Sequence, residues 1–139
     1  MDEEVQATAA RLVRRLKEGN HTITVAESCT GGLLASAFTD IAGASQWFRQ
    51  SWVTYSNDAK IKELGVTEEA LNRRGAVSAE VAIQMAQGAR VKADASIALS
   101  ITGIAGPSND GSNKKIGTVY VGIASENWAN SDITEIGGN

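Results

Sequence analysis

The sequence predicts a single α/β domain, a layer of strands covered by helices. Three observations predict it. Short segments rich in β-branched residues alternate with segments of helical spacing. Glycine, asparagine, serine or threonine stands where each helix should start or stop. A chain of 139 residues, 42% hydrophobic and 21% charged, is long enough for one domain with a real core.

Residues 2–18 carry apolar positions at Val5, Ala9, Leu12, Val13 and Leu16, which is helical spacing, stopped by Gly19 and Asn20. His21 to Val25 alternates threonine and aliphatic residues as a strand does. Residues 32–41 read as a second helix ending before Gly43, and Trp52-Val53-Thr54-Tyr55 as a strand. Asn57 is placed to cap a helix over 58–64, with Gly65 beyond its end. Thr67 should cap a short helix closed by Gly75, and Ser78 a longer one over 79–91. Residues 96–101 and 118–123 read as strands, 103–115 as a loop, and 132–136 as a last edge strand.

The bulk properties narrow the function. Net charge is −3 with no basic stripe, which disfavours nucleic acid as a partner. No apolar run approaches the roughly 18 residues of a membrane span, so no membrane partner is expected. Met1-Asp2-Glu3-Glu4 lacks the basic start of a signal peptide, and the single cysteine cannot form an internal disulfide. Both point to a reduced, cytoplasmic protein. No His, Cys, Asp or Glu cluster has metal-ligand spacing, so no metal is expected.

In layered α/β domains ligands gather beyond strand ends. Three polar or glycine-rich segments follow strands here: 27–32, 55–60 and 102–112. The first, Glu27-Ser28-Cys29-Thr30-Gly31-Gly32, is the richest in chemistry. Amides at a strand-to-helix turn can hold an anion or a developing oxyanion. Ser28 is a candidate nucleophile that needs a base. His21 is the only histidine. It lies at the far end of the same strand, five or six residues of about 3.3 Å each away, which disfavours a Ser-His-acid triad. Lys60 is the alternative base: in a first helical turn the dipole and partial burial both lower its pKa. The competing reading is a solvated lysine.

Cys29 is the rival nucleophile, because a thiol at a helix start is expected to have a lowered pKa. Its alternative reading is a small buried side chain. Thr30 reads as a cap or a polar liner of the site. Glu27 could orient a lysine, contact a ligand hydroxyl or be solvated. Gly31-Gly32 fits an anion-binding turn, or a turn that simply requires glycine; the pair belongs to neither a Walker A loop nor a dinucleotide fingerprint. Thr102-Gly103 begins a similar strand-end turn. Lys114 and Lys115 read as solvated, and Trp47, Phe48 and Trp52 as core or interface.

Thr24-Val25-Ala26-Glu27-Ser28-Cys29-Thr30-Gly31-Gly32, Tyr55-Ser56-Asn57-Asp58-Ala59-Lys60, Gly75-Ala76-Val77-Ser78, Ser100-Ile101-Thr102-Gly103-Ile104-Ala105-Gly106-Pro107 and Gly117-Thr118-Val119 follow one another in order. Together they make the chain resemble the CinA C-terminal domain family over residues 5–137. The resemblance implies a three-layer α/β/α sandwich with a mixed sheet, and a homodimer or higher oligomer. It implies a small-molecule nucleotide substrate and no cofactor. Family deamidases hydrolyse nicotinamide mononucleotide to nicotinic acid mononucleotide and ammonia through a Ser/Lys dyad. That dyad falls on Ser28 and Lys60. Glu27, Cys29, Thr30, Gly31, Gly32, Tyr55, Asn57, Thr102 and Gly103 lie in the matching motifs and are expected around the substrate, with Ser45 a further candidate. The alternative within the family is a catalytically silent nucleotide-binding or regulatory module. Two departures stand out: Ile116 where proline is common, and an end at Asn139. Family members usually continue there through a Phe-x-Gly-Asp-Arg motif into a final helix. The expected unit is therefore a domain over residues 1–139 without that helix.

Overall fold

A computed structural model describes residues 3–104 and 117–135. The elements in chain order are α1 (Glu3–Glu18), β1 (Ile23–Glu27), α2 (Leu33–Thr39), a 3-10 turn (Ala44–Gln46), β2 (Phe48–Val53), α3 (Asn57–Leu64), α4 (Glu68–Arg74), α5 (Ala79–Ala93), β3 (Ile97–Gly103), β4 (Thr118–Ser125) and β5 (Trp128–Glu135). The strands form one sheet in the order β2-β1-β3-β4-β5. β1 is parallel to β2 and β3, whereas β4 runs antiparallel to β3 and β5, so the sheet is mixed.

Strand alternation sorts the core into two layers, because successive side chains leave opposite faces. Ile23 and Val25 of β1 pack with Val13 and Leu16 of α1 and with Phe38, Trp47 and Phe48. Ala26 of β1, Ala98 of β3 and Ala124 of β4 face α3, α4 and α5 through Leu64, Ala70, Val81, Met85, Ala86 and Ala89. This is the α/β/α sandwich. Small residues on the second face let α5 lie close to the strands. The first core is anchored by aromatic contact: the Phe38 ring lies 5.6 Å from Trp47, edge to face, and 5.7 Å from Phe48.

Thr67 and Ser78 cap their helices as the sequence predicts, accepting from the amides of Ala70 and Val81. The cap of α3 is corrected by one residue. Ser56, extended at ψ 159°, accepts from the Ala59 amide, and Asn57 is already the first helical residue. β2 begins at Phe48 and stops before Thr54-Tyr55. As an edge strand with exposed Arg49 and Gln50, it offers no apolar alternation to read. β5 begins four residues before the expected 132, for the same reason: it is the opposite edge, and its sequence WANSDITE is mostly polar. Most of the expected loop 103–115, with Lys114, Lys115 and Ile116, lies outside the described residues, as do residues 136–139.

One glycine sets how closely α3 approaches α5. A Cβ on Gly88 would overlap the backbone carbonyl of Leu64. Gly88→Ala must therefore push α3 outward, and overpacking of this kind costs about 1–3 kcal/mol. Urea unfolding should show a lower midpoint with an unchanged slope.

Candidate active site

The site forms where β1, β2 and β3 end together. Ser28 follows the last residue of β1, and its amide continues the sheet ladder by donating to Ile101 O at 3.0 Å. On the other side the Thr54 amide donates to Glu27 O at 2.8 Å. The serine is thus clamped between the neighbouring chain segments. Alternation then decides which way each side chain turns. Glu27 continues the face of Ile23 and Val25, toward α2, and Ser28 continues the face of Ala26, toward α3.

Lys60 reaches Ser28 from the first turns of α3. Its Nζ lies 3.0 Å from Ser28 Oγ, 2.9 Å from Thr54 O and 3.2 Å from Tyr55 O. Lys60 is 1% exposed and Ser28 7% exposed. Burial holds the lysine below the ordinary 10.5, while negative charge at Cys29 would act the other way and more weakly. A neutral amine suits this nest. Nζ as placed can donate to all three oxygens; once uncharged, it would keep two N–H groups for the two carbonyls and turn its lone pair to the Ser28 O–H. The structure thus brings Lys60 and Ser28 within hydrogen-bond distance and buries the lysine rather than leaving it solvated.

Cys29 is half-buried and makes no hydrogen bond to another side chain among the described residues. Its Sγ lies 3.2 Å from where a Cβ on Gly103 would stand. Burial is the largest influence on the thiol and raises its pKa; its own backbone amide and Lys60 lower it, and Glu27 raises it further. This corrects the expected lowering: the thiol sits beside strand backbone rather than at exposed helix amides. Gly103 is confined as well, since the added Cβ would also meet Thr118 O at 2.8 Å.

Glu27 is the second correction. It is fully buried, and its carboxylate neither orients Lys60 nor faces solvent. Oε1 accepts from Thr30 Oγ1 at 2.6 Å and from the Leu34 amide at 2.9 Å, and Oε2 accepts from the Ala35 amide at 2.9 Å. Thr30 is consequently a donor to Glu27 rather than the cap of α2. Between Thr30 and α2 the chain turns through Gly31 at φ 62° and Gly32 at φ 111°, the left-handed region that disfavours a Cβ. The Gly31 amide donates to Ser28 O at 3.2 Å. Among the described residues, the amides of Cys29, Thr30 and Gly32 donate to no carbonyl or side chain.

Thr102 is brought beside Ser28. Ile101 pairs with Glu27 in the parallel ladder, so Thr102 stands next to Ser28 on the α3–α5 face. It is buried, and its hydroxyl donates to Ala76 O at 2.9 Å, tying the α4–α5 connection to the strand end. Tyr55 contributes its carbonyl to Lys60, and its side chain is 75% exposed at the rim. Asn57 is exposed one helical turn before Lys60.

Ser45 is not brought to the dyad. It is exposed on the 3-10 turn just before β2. Because β2 is parallel to β1, that turn lies at the start of β1, where the Ile23 amide donates to Trp47 O at 2.8 Å. Within one chain Ser45 is at the opposite end of the sheet from Ser28, and so is His21. Thr54 is the participant that residue identity does not reveal. It acts through its carbonyl and amide, which every residue type has. Among the described residues, no group of three or more His, Cys, Asp or Glu side chains could hold a metal ion. No described helix is long and apolar enough to cross a membrane.

A serine held against a buried lysine amine at the end of parallel strands marks the candidate site of this α/β domain. Comparison with known proteins fixes the family. The CinA C-terminal domain family matches residues 5–139, and the chain belongs to it. The nicotinamide-nucleotide amidohydrolase PncC of Escherichia coli K12 is 47% identical over 123 residues, which are 88% of this chain and 74% of that protein. A competence-damage inducible protein of Caldicellulosiruptor saccharolyticus is 51% identical over 120 residues, 86% of this chain but only 29% of that longer protein. Among solved structures, a competence-damaged protein (CinA) superfamily protein of Escherichia coli superposes with a TM-score of 0.94 at 32% identity. It covers 100% of this chain and 82% of its own. The competence/damage inducible protein CihA of Agrobacterium tumefaciens gives 0.89 at 39% identity, covering 97% and 81%.

Proposed function

We propose that this chain is an amidohydrolase that converts nicotinamide mononucleotide to nicotinic acid mononucleotide and ammonia, with Ser28 as nucleophile and Lys60 as base. The observation that carries the reading is the 3.0 Å contact between Lys60 Nζ and Ser28 Oγ, made by a lysine that is 1% exposed. The amidohydrolase relative supports the substrate class.

Ser28 Oγ attacks the carboxamide carbon as its proton passes to neutral Lys60. The carbonyl oxygen becomes an oxyanion beside the turn, where the amides of Cys29 and Thr30 can donate to it. Losing one such donor typically costs about 2.7–4 kcal/mol of barrier. Lys60, now an ammonium, gives its proton to the departing nitrogen, and ammonia leaves. Water then attacks the acyl ester at Ser28. Lys60 takes a proton from that water and returns one to Ser28 Oγ as the acid is released. No step calls on a cofactor.

The lysine also sets the pH dependence. An ammonium cannot accept the serine proton, so kcat/KM should rise with pH through the Lys60 ionisation and level off above it. Since burial lowers that pKa, the rise should come well below the range of a free lysine. A pH–rate profile that climbs only near 10.5 would remove Lys60 as the base.

The direct test is incubation with nicotinamide mononucleotide, measuring ammonia and the acid mononucleotide. Equimolar appearance of both is expected. Tight binding without ammonia would select the silent nucleotide-binding module, and the lack of both would select the regulatory one.

A further inference from the structure

The carboxylate beside the nucleophile has no place in the proton transfers above, yet it is as fully engaged as Lys60. Glu27 is 0% exposed and accepts three hydrogen bonds of 2.6–2.9 Å. A buried carboxylate with unmet oxygens would be costly, and donation from three groups offsets that cost. Its donors are the Thr30 hydroxyl within the turn and the amides of Leu34 and Ala35 beyond it, at the start of α2. These bonds bridge across Cys29 to Gly32, the stretch that must present its amides to the reacting oxygen. That stretch contains two left-handed glycines, so its backbone has little intrinsic preference for one conformation. The main chain of the same residue secures the other side. Glu27 O accepts from the Thr54 amide, and Thr54 O accepts from Lys60 Nζ.

We infer that Glu27 is a positioning residue: its carboxylate pins the turn after Ser28 to α2 and so holds the turn amides where the oxyanion forms. The inference rests on the reading of Ser28 and Lys60 as the working pair. It assigns Glu27 no proton to carry and no contact with substrate. It also separates the two halves of the machinery. Loss of the carboxylate should misplace the amides and leave the Lys60 nest, built from the carbonyls of Thr54 and Tyr55, as it was.

Glu27→Gln keeps the size of the side chain. It replaces one acceptor oxygen by an NH2 that must face an amide or hydroxyl donor. Expected is a fall in kcat of about 10- to 100-fold, below the full loss of an oxyanion donor because the amides remain present. KM and the pH midpoint of the rate should stay in place, with activity expressed per folded molecule from circular dichroism. The rate at which a fluorophosphonate modifies Ser28 should fall by a similar factor. This second readout does not depend on nicotinamide mononucleotide being the substrate. Should the wild type react with the fluorophosphonate and release no ammonia, the proposed substrate fails, while the labelling rates still decide the role of Glu27. Should the wild type resist labelling at Ser28, the working pair fails and this inference with it. Wild-type rates per folded molecule in the variant would overturn the inference alone. So would a shifted pH midpoint, which would mean that Glu27 acts on Lys60. Thr30→Val removes a single bond to the carboxylate and serves if Glu27→Gln does not fold. A kcat lowered about 3- to 10-fold at unchanged KM is expected of it, one hydrogen bond being worth about 1 kcal/mol or somewhat more, and an unchanged kcat would count against the inference.

Discussion

Ser28→Ala should reduce ammonia release from nicotinamide mononucleotide by about 10⁴- to 10⁶-fold, the range in which removal of a serine nucleophile falls in other hydrolases. The loss should lie in kcat, because Ser28 is 7% exposed and its hydroxyl is already committed to Lys60 Nζ, leaving it little to contribute to ground-state binding. Cys29→Ala should keep most of the activity. The thiol packs toward Gly103, and burial holds it protonated. Kinetics of both variants at equal folded concentration check the pair together. Turnover surviving in Ser28→Ala and lost in Cys29→Ala would transfer the nucleophile to sulfur.

Lys60→Gln should be nearly as damaging. A glutamine amide can donate to Thr54 O and Tyr55 O, but its nitrogen has no lone pair able to take a proton from Ser28. The double variant with Ser28→Ala should lose no more than the worse single one, since the members of such a unit are grossly non-additive. Additive losses would mean that the two side chains act independently, and the 3.0 Å contact would then have no catalytic meaning. Arginine at 60 should not rescue activity, because a guanidinium stays charged.

The parts of this site that were legible in the sequence are those where chemistry is carried by side-chain type. Ser28 could be read from its place between a strand and a helix. Lys60 could be read from its place in a first helical turn. The parts that were not legible depend on direction. Glu27, Ser28 and Cys29 are adjacent in sequence, and strand alternation sends the first to α2 and the second to α3. Burial does not tell the faces apart, since β1 is buried along its whole length; they are assigned by the packing of Ile23 and Val25 with Val13 and Phe38, and of Ala26 with Val81 and Met85. Of the two readings of Cys29, the fold supports the small, partly buried side chain, because strand backbone rather than exposed helix amides lies beside the thiol. Ser56, Asn57 and Asp58 can all cap a helix, and only the extended backbone of Ser56 selects it. The position of Ser45 was not legible because sequence does not show sheet order; the parallel pairing of β1 with β2 puts it at the far end of the sheet within one chain. The edge strands β2 and β5 were blurred for a related reason. Solvent on one side relaxes the alternation that marks inner strands such as β3, whose burial alternates along its length.

The central claim is that Lys60 is an uncharged amine at the pH where the protein works. The measurement that tests it most directly is the side-chain NMR titration of Lys60, following its Cε and Nζ shifts against pH and assigning the signal with Lys60→Gln. A midpoint displaced well below 10.5, matching the rise of kcat/KM, is the result this account predicts. A Lys60 that titrates with the protein's exposed lysines, while the rate rises elsewhere, would contradict it.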